Sequence, residues 1–304
     1  MFIYEHTHAS IGESPIWSDS TKSIVWVDAA GSEIYQTSTI THTTHCYTVP
    51  FDVTAIVPGE NDSWICASKQ GLFLLNHQFE VTSKIIDPCS EHAHLHLNDA
   101  IASPNGEIWF GTMNSADLDL PDGKLYALRE GDLVKLDQGF SVANGIAINQ
   151  KLKRAYCSNM FQRKVYEYQL DDSLTQILSK SVFIEFDKSQ GYPDGLTVDS
   201  LGNLYICHWD CGVVSYYSPS LTHIGHPTKL GEIELPVKHA TRCTFGGHNL
   251  ETLYVTTADY ELSPEELERY PQSGSLFSLS APTQGHPERS VKHNVMSLSQ
   301  LVAG

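Results

Sequence analysis

A polar lead residue, a short apolar run, a tight turn and a second apolar run recur along this chain. The clearest copy runs from Leu97-Asn98-Asp99-Ala100-Ile101-Ala102 through Ser103-Pro104-Asn105-Gly106 to Glu107-Ile108-Trp109-Phe110-Gly111-Thr112. Apolar stretches of this length on either side of Asn-Gly specify a β-hairpin, here led in by an amide and a carboxylate. The register repeats at Gly12-Glu13-Ser14-Pro15-Ile16-Trp17, Val53-Thr54-Ala55-Ile56-Val57, Asn144-Gly145-Ile146-Ala147-Ile148, Asp194-Gly195-Leu196-Thr197-Val198 and Thr241-Arg242-Cys243-Thr244-Phe245, each followed by a second apolar run. With Glu13, Val53, Asn98, Asn144, Asp194 and Arg242 as lead residues, the period is roughly 40 to 50 residues, the length of a propeller blade. Further short strands after each copy, such as Gly123-Lys124-Leu125-Tyr126-Ala127-Leu128 and Lys164-Val165-Tyr166-Glu167-Tyr168, bring each blade to four strands. The pattern predicts an all-β, six-bladed β-propeller, and the continuous repeat predicts a single domain over residues 1–304.

Residues 2–7 precede the first lead residue and are expected to join the last blade as a closing strand. The Thr- and His-rich stretch 32–47 is expected to form the outer strands of blade one. The one helix signal is Ser263-Pro264-Glu265-Glu266, with Ser263 as N-cap, Pro264 at the first helical position and Glu266 completing a capping box. The tail after Gln284 is weakly patterned.

Composition narrows the function. Among 304 residues only 19 are Lys or Arg and the net charge is −17, which excludes a nucleic-acid surface. No segment is apolar enough to span a membrane. The first residues lack a basic stretch and apolar core, so a cytoplasmic protein is expected. The seven cysteines show no tight spacing and read as reduced thiols, with Cys89 and Cys211 in loops and open to solvent.

In a propeller, residues at one repeat position converge on the axis. Glu13, Asn98, Asn144 and Asp194 place four oxygen donors there, and two carboxylates on one axis repel unless a cation or proton lies between them. Such a set suits one hard divalent cation, calcium, magnesium or manganese, with zinc as a further option. With coordination positions left open, it suits hydrolysis of an ester or lactone. His92, His94 and His96 alternate, and on one strand face, about 7 Å apart, two of them could hold zinc. No partner set completes the site, and an entry loop with only His96 near the axis is the preferred reading. The acidic run 114–123 lacks the glycine and terminal glutamate of an EF-hand and reads as a solvated turn.

Gly12-Glu13-Ser14-Pro15, Leu97-Asn98-Asp99, Gly111-Thr112-Met113, Asn144-Gly145, Pro193-Asp194-Gly195 and Cys243-Thr244-Phe245-Gly246-Gly247 together resemble the SMP-30/gluconolactonase family of regucalcin-like sugar lactonases, in order and spacing over nearly the whole chain. The resemblance implies one divalent metal held by Glu13, Asn144 and Asp194. It implies Asp194 as the catalytic proton acceptor and donor, and Asn98 contacting substrate or completing the metal shell. The arginine usual two residues before that asparagine is replaced by His96, which is assigned with Asn98 to the substrate pocket. The acid that some relatives carry after Gly-Thr-Met is replaced by Ala116. His208-Trp209-Asp210-Cys211-Gly212 is typical of the sugar-lactonase side of the family, with Trp209 either lining the channel or packing in its blade. The expected function is metal-dependent opening of a sugar lactone (an aldonolactone) to the aldonic acid. Its rivals are a phosphotriesterase-like or promiscuous esterase activity and a non-catalytic calcium-binding propeller. Which sugar is preferred, and the oligomeric state, stay open.

Overall fold

The computed structural model of the chain describes residues 1–4, 8–292 and 294. Six antiparallel four-stranded sheets form a six-bladed β-propeller. Blades one to five occupy residues 12–48, 53–86, 95–140, 143–185 and 192–234. Blade six is completed out of order: His239–Gly246, Thr252–Ala258 and Leu276–Ser280 are joined at the rim by the N-terminal strand Phe2–Tyr4, which pairs Ile3 with Phe277. The N-terminal strand thus closes the ring, which leaves no long unpaired inner edge among the described residues. Apolar clusters fill the spaces between neighbouring blades; Trp109 of blade three, for example, lies in one cluster with Ile146 and Tyr168 of blade four.

The innermost strand of every blade breaks register at its lead residue. The shifts fall between Glu13 and Ile16, Val53 and Ala55, Leu97 and Ala100, Asn144 and Ile146, Pro193 and Leu196, and Ala240 and Arg242. A bulge turns the bulged side chain out of the pleat, so a hairpin repeat becomes a ring of side chains aimed along the channel. Two glycines let the strands approach there. A Cβ on Gly145, which has φ +46°, would meet the Asp194 carbonyl oxygen at 2.1 Å, and one on Gly195 would meet the Arg242 side chain at 2.5 Å.

The helix Pro264–Arg269 has the expected Ser263–Glu266 capping box and lies between strands of blade six. His92 and His94 lie exposed ahead of the strand of blade three, which begins only at Leu95; no histidine ladder forms, and of the three only His96 is buried, as the entry-loop reading expects. One expectation is corrected. Cys89 is buried in the cluster between blades two and three, while Cys46 is the exposed thiol. The tail after Gln284, weakly patterned in sequence, is tied into the ring. Gly285 N donates to Leu250 O, Val291 is fully buried and bridged to Gly59, and Lys292 N donates to Gly106 O. Residues 284–292 therefore strap blades five and six to blades two and three, across the end of the channel opposite the lead residues.

Candidate functional site

Two lead residues touch. The Asn144 amide nitrogen donates to Oδ1 of Asp194, while Asn144 Oδ1 accepts from the Gly145 N–H at 2.9 Å. Ser158 Oγ holds the Asp194 main-chain carbonyl at 2.9 Å, so both ends of this pair are fixed by neighbouring strands. Glu13 accepts from its own neighbour, Ser14 N, at 3.0 Å. Burial raises the Glu13 carboxyl to about 7, against the opposing pull of the Arg242 guanidinium and the Ser14 N–H. Asp194 is held well above the usual carboxylate range, first by burial and then by the charge of Glu13. These two acids therefore share one poorly solvated space, in which each disfavours ionisation of the other.

Beneath them lies a charged pair whose role the repeat pattern did not reveal. Arg242, the lead residue of blade six, is ion-paired with Asp99 of blade three, and both are buried. Asp99 also accepts from Ala100 N at 2.7 Å and Ile146 N at 3.0 Å, tying blade three to blade four. Glu288 of the strap stands at the lower end of the channel, accepting from Thr244 Oγ1 at 2.6 Å, with its charge acting on Arg242. The Arg242 guanidinium is thus paired with Asp99 and feels the charges of Glu13 above and Glu288 below.

Asn98 is half-buried beside the pair, its amide 3.4 Å from Ala143 O. His96 is buried, Nδ1 lying 2.7 Å from Leu97 O, and faces the Asp52–Lys69 pair of blade two; burial lowers its pKa. The acidic run 114–123 is held by internal bonds, with Ala116 N and Asp117 N both donating to Asn114 Oδ1, and Asp117 is exposed. Trp209 is half-buried and stacks on His239 with ring centres 4.0 Å apart. Phe161 and Tyr192 meet beside it at 5.2 Å.

Among the described residues no three His, Cys, Asp or Glu side chains gather as a cation site. Glu13, Asp194 and Asn144 offer two carboxylates and an amide instead. That donor chemistry fits a hard divalent cation, which would relieve the charge repulsion that raises both acids.

Residues 11–259 match the sequence profile of the SMP-30/Gluconolactonase/LRE-like region. The chain belongs to this family. YvrE of Bacillus subtilis strain 168, which carries a provisional sugar lactone lactonase name, is 30% identical over 281 residues, spanning 92% of this chain and 94% of that one. Pentonolactonase XacC of Haloferax volcanii is 27% identical over 289 residues, 93% and 94% of the two chains. A solved calcium-binding regucalcin of Agrobacterium tumefaciens strain C58 superposes with a TM-score of 0.88 at 23% identity, over 95% of this chain and 96% of that one. That last likeness shows the shared propeller.

Proposed function

We propose that this SMP-30/gluconolactonase-family protein is a hydrolase that opens a sugar lactone to the aldonic acid, with one divalent cation held by Glu13, Asn144 and Asp194. The observation that carries the reading is a pair of electrostatically linked acids at the mouth of the ring, the half-buried Glu13 and the buried Asp194, the latter bonded to Asn144. Its relatives of similar length, named for sugar lactones, give the substrate class. A bound divalent cation supplies Lewis-acid polarisation of the lactone carbonyl and favours the ionised form of both acids.

Asp194 then acts as the base. Its Oδ1 is occupied by the Asn144 amide, which leaves Oδ2 to take a proton from the attacking water. The water oxygen bonds to the carbonyl carbon, the ring C–O bond breaks, and the proton passes from Oδ2 to the departing ring oxygen, giving the hydroxy acid. Asn98 and His96 border the same mouth and are assigned to the sugar hydroxyls. His96 is kept neutral by burial, and its Nδ1 lies against the Leu97 carbonyl, so Nε2 is the atom left for a hydroxyl.

No helix among the described residues is long and apolar enough to cross a membrane. The seven cysteines are all free, which fits the reducing cytoplasm we assign to the protein. The deciding experiment follows acid release from a panel of aldonolactones, using chelated protein reloaded with calcium, zinc, manganese or magnesium singly. Ring opening that is lost on chelation and restored by one of these ions is expected; equal rates in chelated and reloaded protein would remove the metal from the reading.

A further inference from the structure

The side of the mouth formed by blades four and five carries a cation without a counter-charge. Arg163 ends the short 3-10 turn Met160–Gln162 in the left-handed region at φ 53°, its N–H donating to Met160 O at 2.9 Å and its carbonyl accepting from Phe186 N at 2.8 Å. The backbone is fixed, and the side chain lies over Tyr192 with the guanidinium carbon 4.1 Å from the ring centre. Tyr192 precedes the catalytic candidate Asp194 by two residues on one strand, and the turn carrying Arg163 begins at Met160, whose sulfur lies 3.7 Å from the Asn144 amide.

Three other cations at this mouth are neutralised, whereas Lys188, on the turn before Tyr192, is exposed to solvent and likewise has no ion pair among the described residues. Lys69 pairs with Asp52 at 3.2 Å, Lys164 with Glu185 at 3.6 Å, and Lys238 with Glu266 at 2.7 Å. The buried arginines Arg154 and Arg242 each hold a carboxylate as well. Among the described residues no carboxylate lies within ion-pair reach of Arg163, and its Nε is buried without a hydrogen-bond partner. In a chain of net charge −17, a half-buried guanidinium with unused donors is an unmet demand for an anion, because unsatisfied buried donors are costly and guanidinium prefers planar oxyanions.

The neighbours show what kind of molecule brings that anion. Phe161 packs on Tyr192 at 5.2 Å, and Trp209, the register partner of Tyr192, lies beside it. Trp209 has one face on His239 and Tyr192 one face under Arg163, so the remaining half-buried ring surface offers apolar contact suited to the C–H face of a sugar ring. With a strand rise near 3.3 Å per residue, Tyr192, over which the guanidinium lies, stands about 7 Å along the strand from Asp194. That is the reach of a six-carbon lactone bearing a substituent at its far carbon.

We propose that Arg163 is a specificity-determining residue that binds an anionic group, phosphate, sulfonate or carboxylate, on the end of the sugar remote from the lactone carbonyl. The assignment rests on the lactonase reading for the orientation of the sugar; the anion subsite itself does not need turnover.

Titration calorimetry on the calcium-loaded protein tests it with gluconate and 6-phosphogluconate, which share the acid end and differ only at the far carbon. The wild-type protein is expected to bind the phosphorylated acid at least about tenfold more tightly, as a charge-assisted bidentate contact provides. Arg163→Gln should bring the two affinities within about twofold, and Arg163→Lys, which keeps the charge but loses the fork, should retain part of the preference. Equal affinities in the wild type, or a preference that survives Arg163→Gln, would overturn the proposal. Absence of ring opening with every lactone would instead strike the hydrolase reading, and the calorimetric preference would still decide Arg163.

Discussion

Replacing Glu13 by Gln should stabilise the metal-free protein at neutral pH while abolishing its function. An ordinary glutamate ionises near 4.5, and in the folded chain Glu13 does so only near 7. Between those values the folded state binds more protons than the unfolded state, so this group's contribution to stability is complete below about 4.5 and is lost as pH rises through about 7. At 1.36 kcal/mol per pH unit, that separation amounts to a ceiling of about 3 kcal/mol. Gln has nearly the same volume and no charge, so it escapes the penalty.

Two histidines act in the opposite sense over an overlapping window. His208 and His239 are each lowered from 6.5 to about 4, burial being the main cause, so they favour folding increasingly as pH rises across that range. The wild-type profile sums these opposing slopes, and the difference between the two proteins removes the histidine contributions and leaves that of Glu13 together with its effect on Asp194. Urea midpoints in the presence of a chelator, from pH 4 to 8, should show Glu13→Gln gaining roughly 2–3 kcal/mol on the wild type as pH rises. Saturating calcium should reverse the order, because it binds the folded wild type more tightly. A difference that stays constant with pH would refute the reasoning, since the buried charge would then carry no penalty.

Asp194→Asn should lower lactone turnover by roughly 10²- to 10⁴-fold with an unchanged circular dichroism spectrum, and near-normal turnover would remove Asp194 as base. Arg242→Met should cost about 3–5 kcal/mol in urea unfolding by stranding the buried Asp99, and adding Asp99→Asn should recover much of that loss; strictly additive costs would show that the pair is not coupled. Truncation after Gln284 removes the fully buried Val291 and the strap, and should lower Tm at least as much as deleting residues 2–4; an unchanged Tm would show that the strap adds nothing. His96→Arg should change the ratios of kcat/KM among lactones while leaving calcium affinity nearly constant, whereas identical ratios would remove His96 from the pocket.

The ring was legible in the sequence because each blade states its own hairpin. Period-two apolar runs around Asn105-Gly106 or Gly202-Asn203 specify local pairing, and six such statements leave little freedom in how they assemble. The Ser263 capping box was legible for the same reason: all of its parts lie within four residues. What escaped was non-local. Val291 reads as one valine in a polar tail, and only the assembled ring provides the groove between Gly59 and Gly106 that buries it. Cys89 looks like a loop residue in the sequence, and it is buried because neighbouring blades close over that loop.

At the site, a repeat position identifies which residues share an axis, though it does not set their partners. Arg242 was placed on the axis as a lead residue, yet its pairing with Asp99 joins blades six and three, on opposite sides of the ring, which no period could express. The bulges were invisible as well, although their glycines were in view: Asn144-Gly145 looks like a turn in sequence, and in the ring Gly145 is the residue that lets the Asp194 strand come close enough for Asn144 to reach its carboxylate. Arg163 lies in no repeat motif at all. Its place depends on a left-handed residue after a single 3-10 turn, and its signal is an electrostatic one, a half-buried guanidinium without a counter-charge in an acidic chain, which appears only once the ion pairs of the assembled ring are on view.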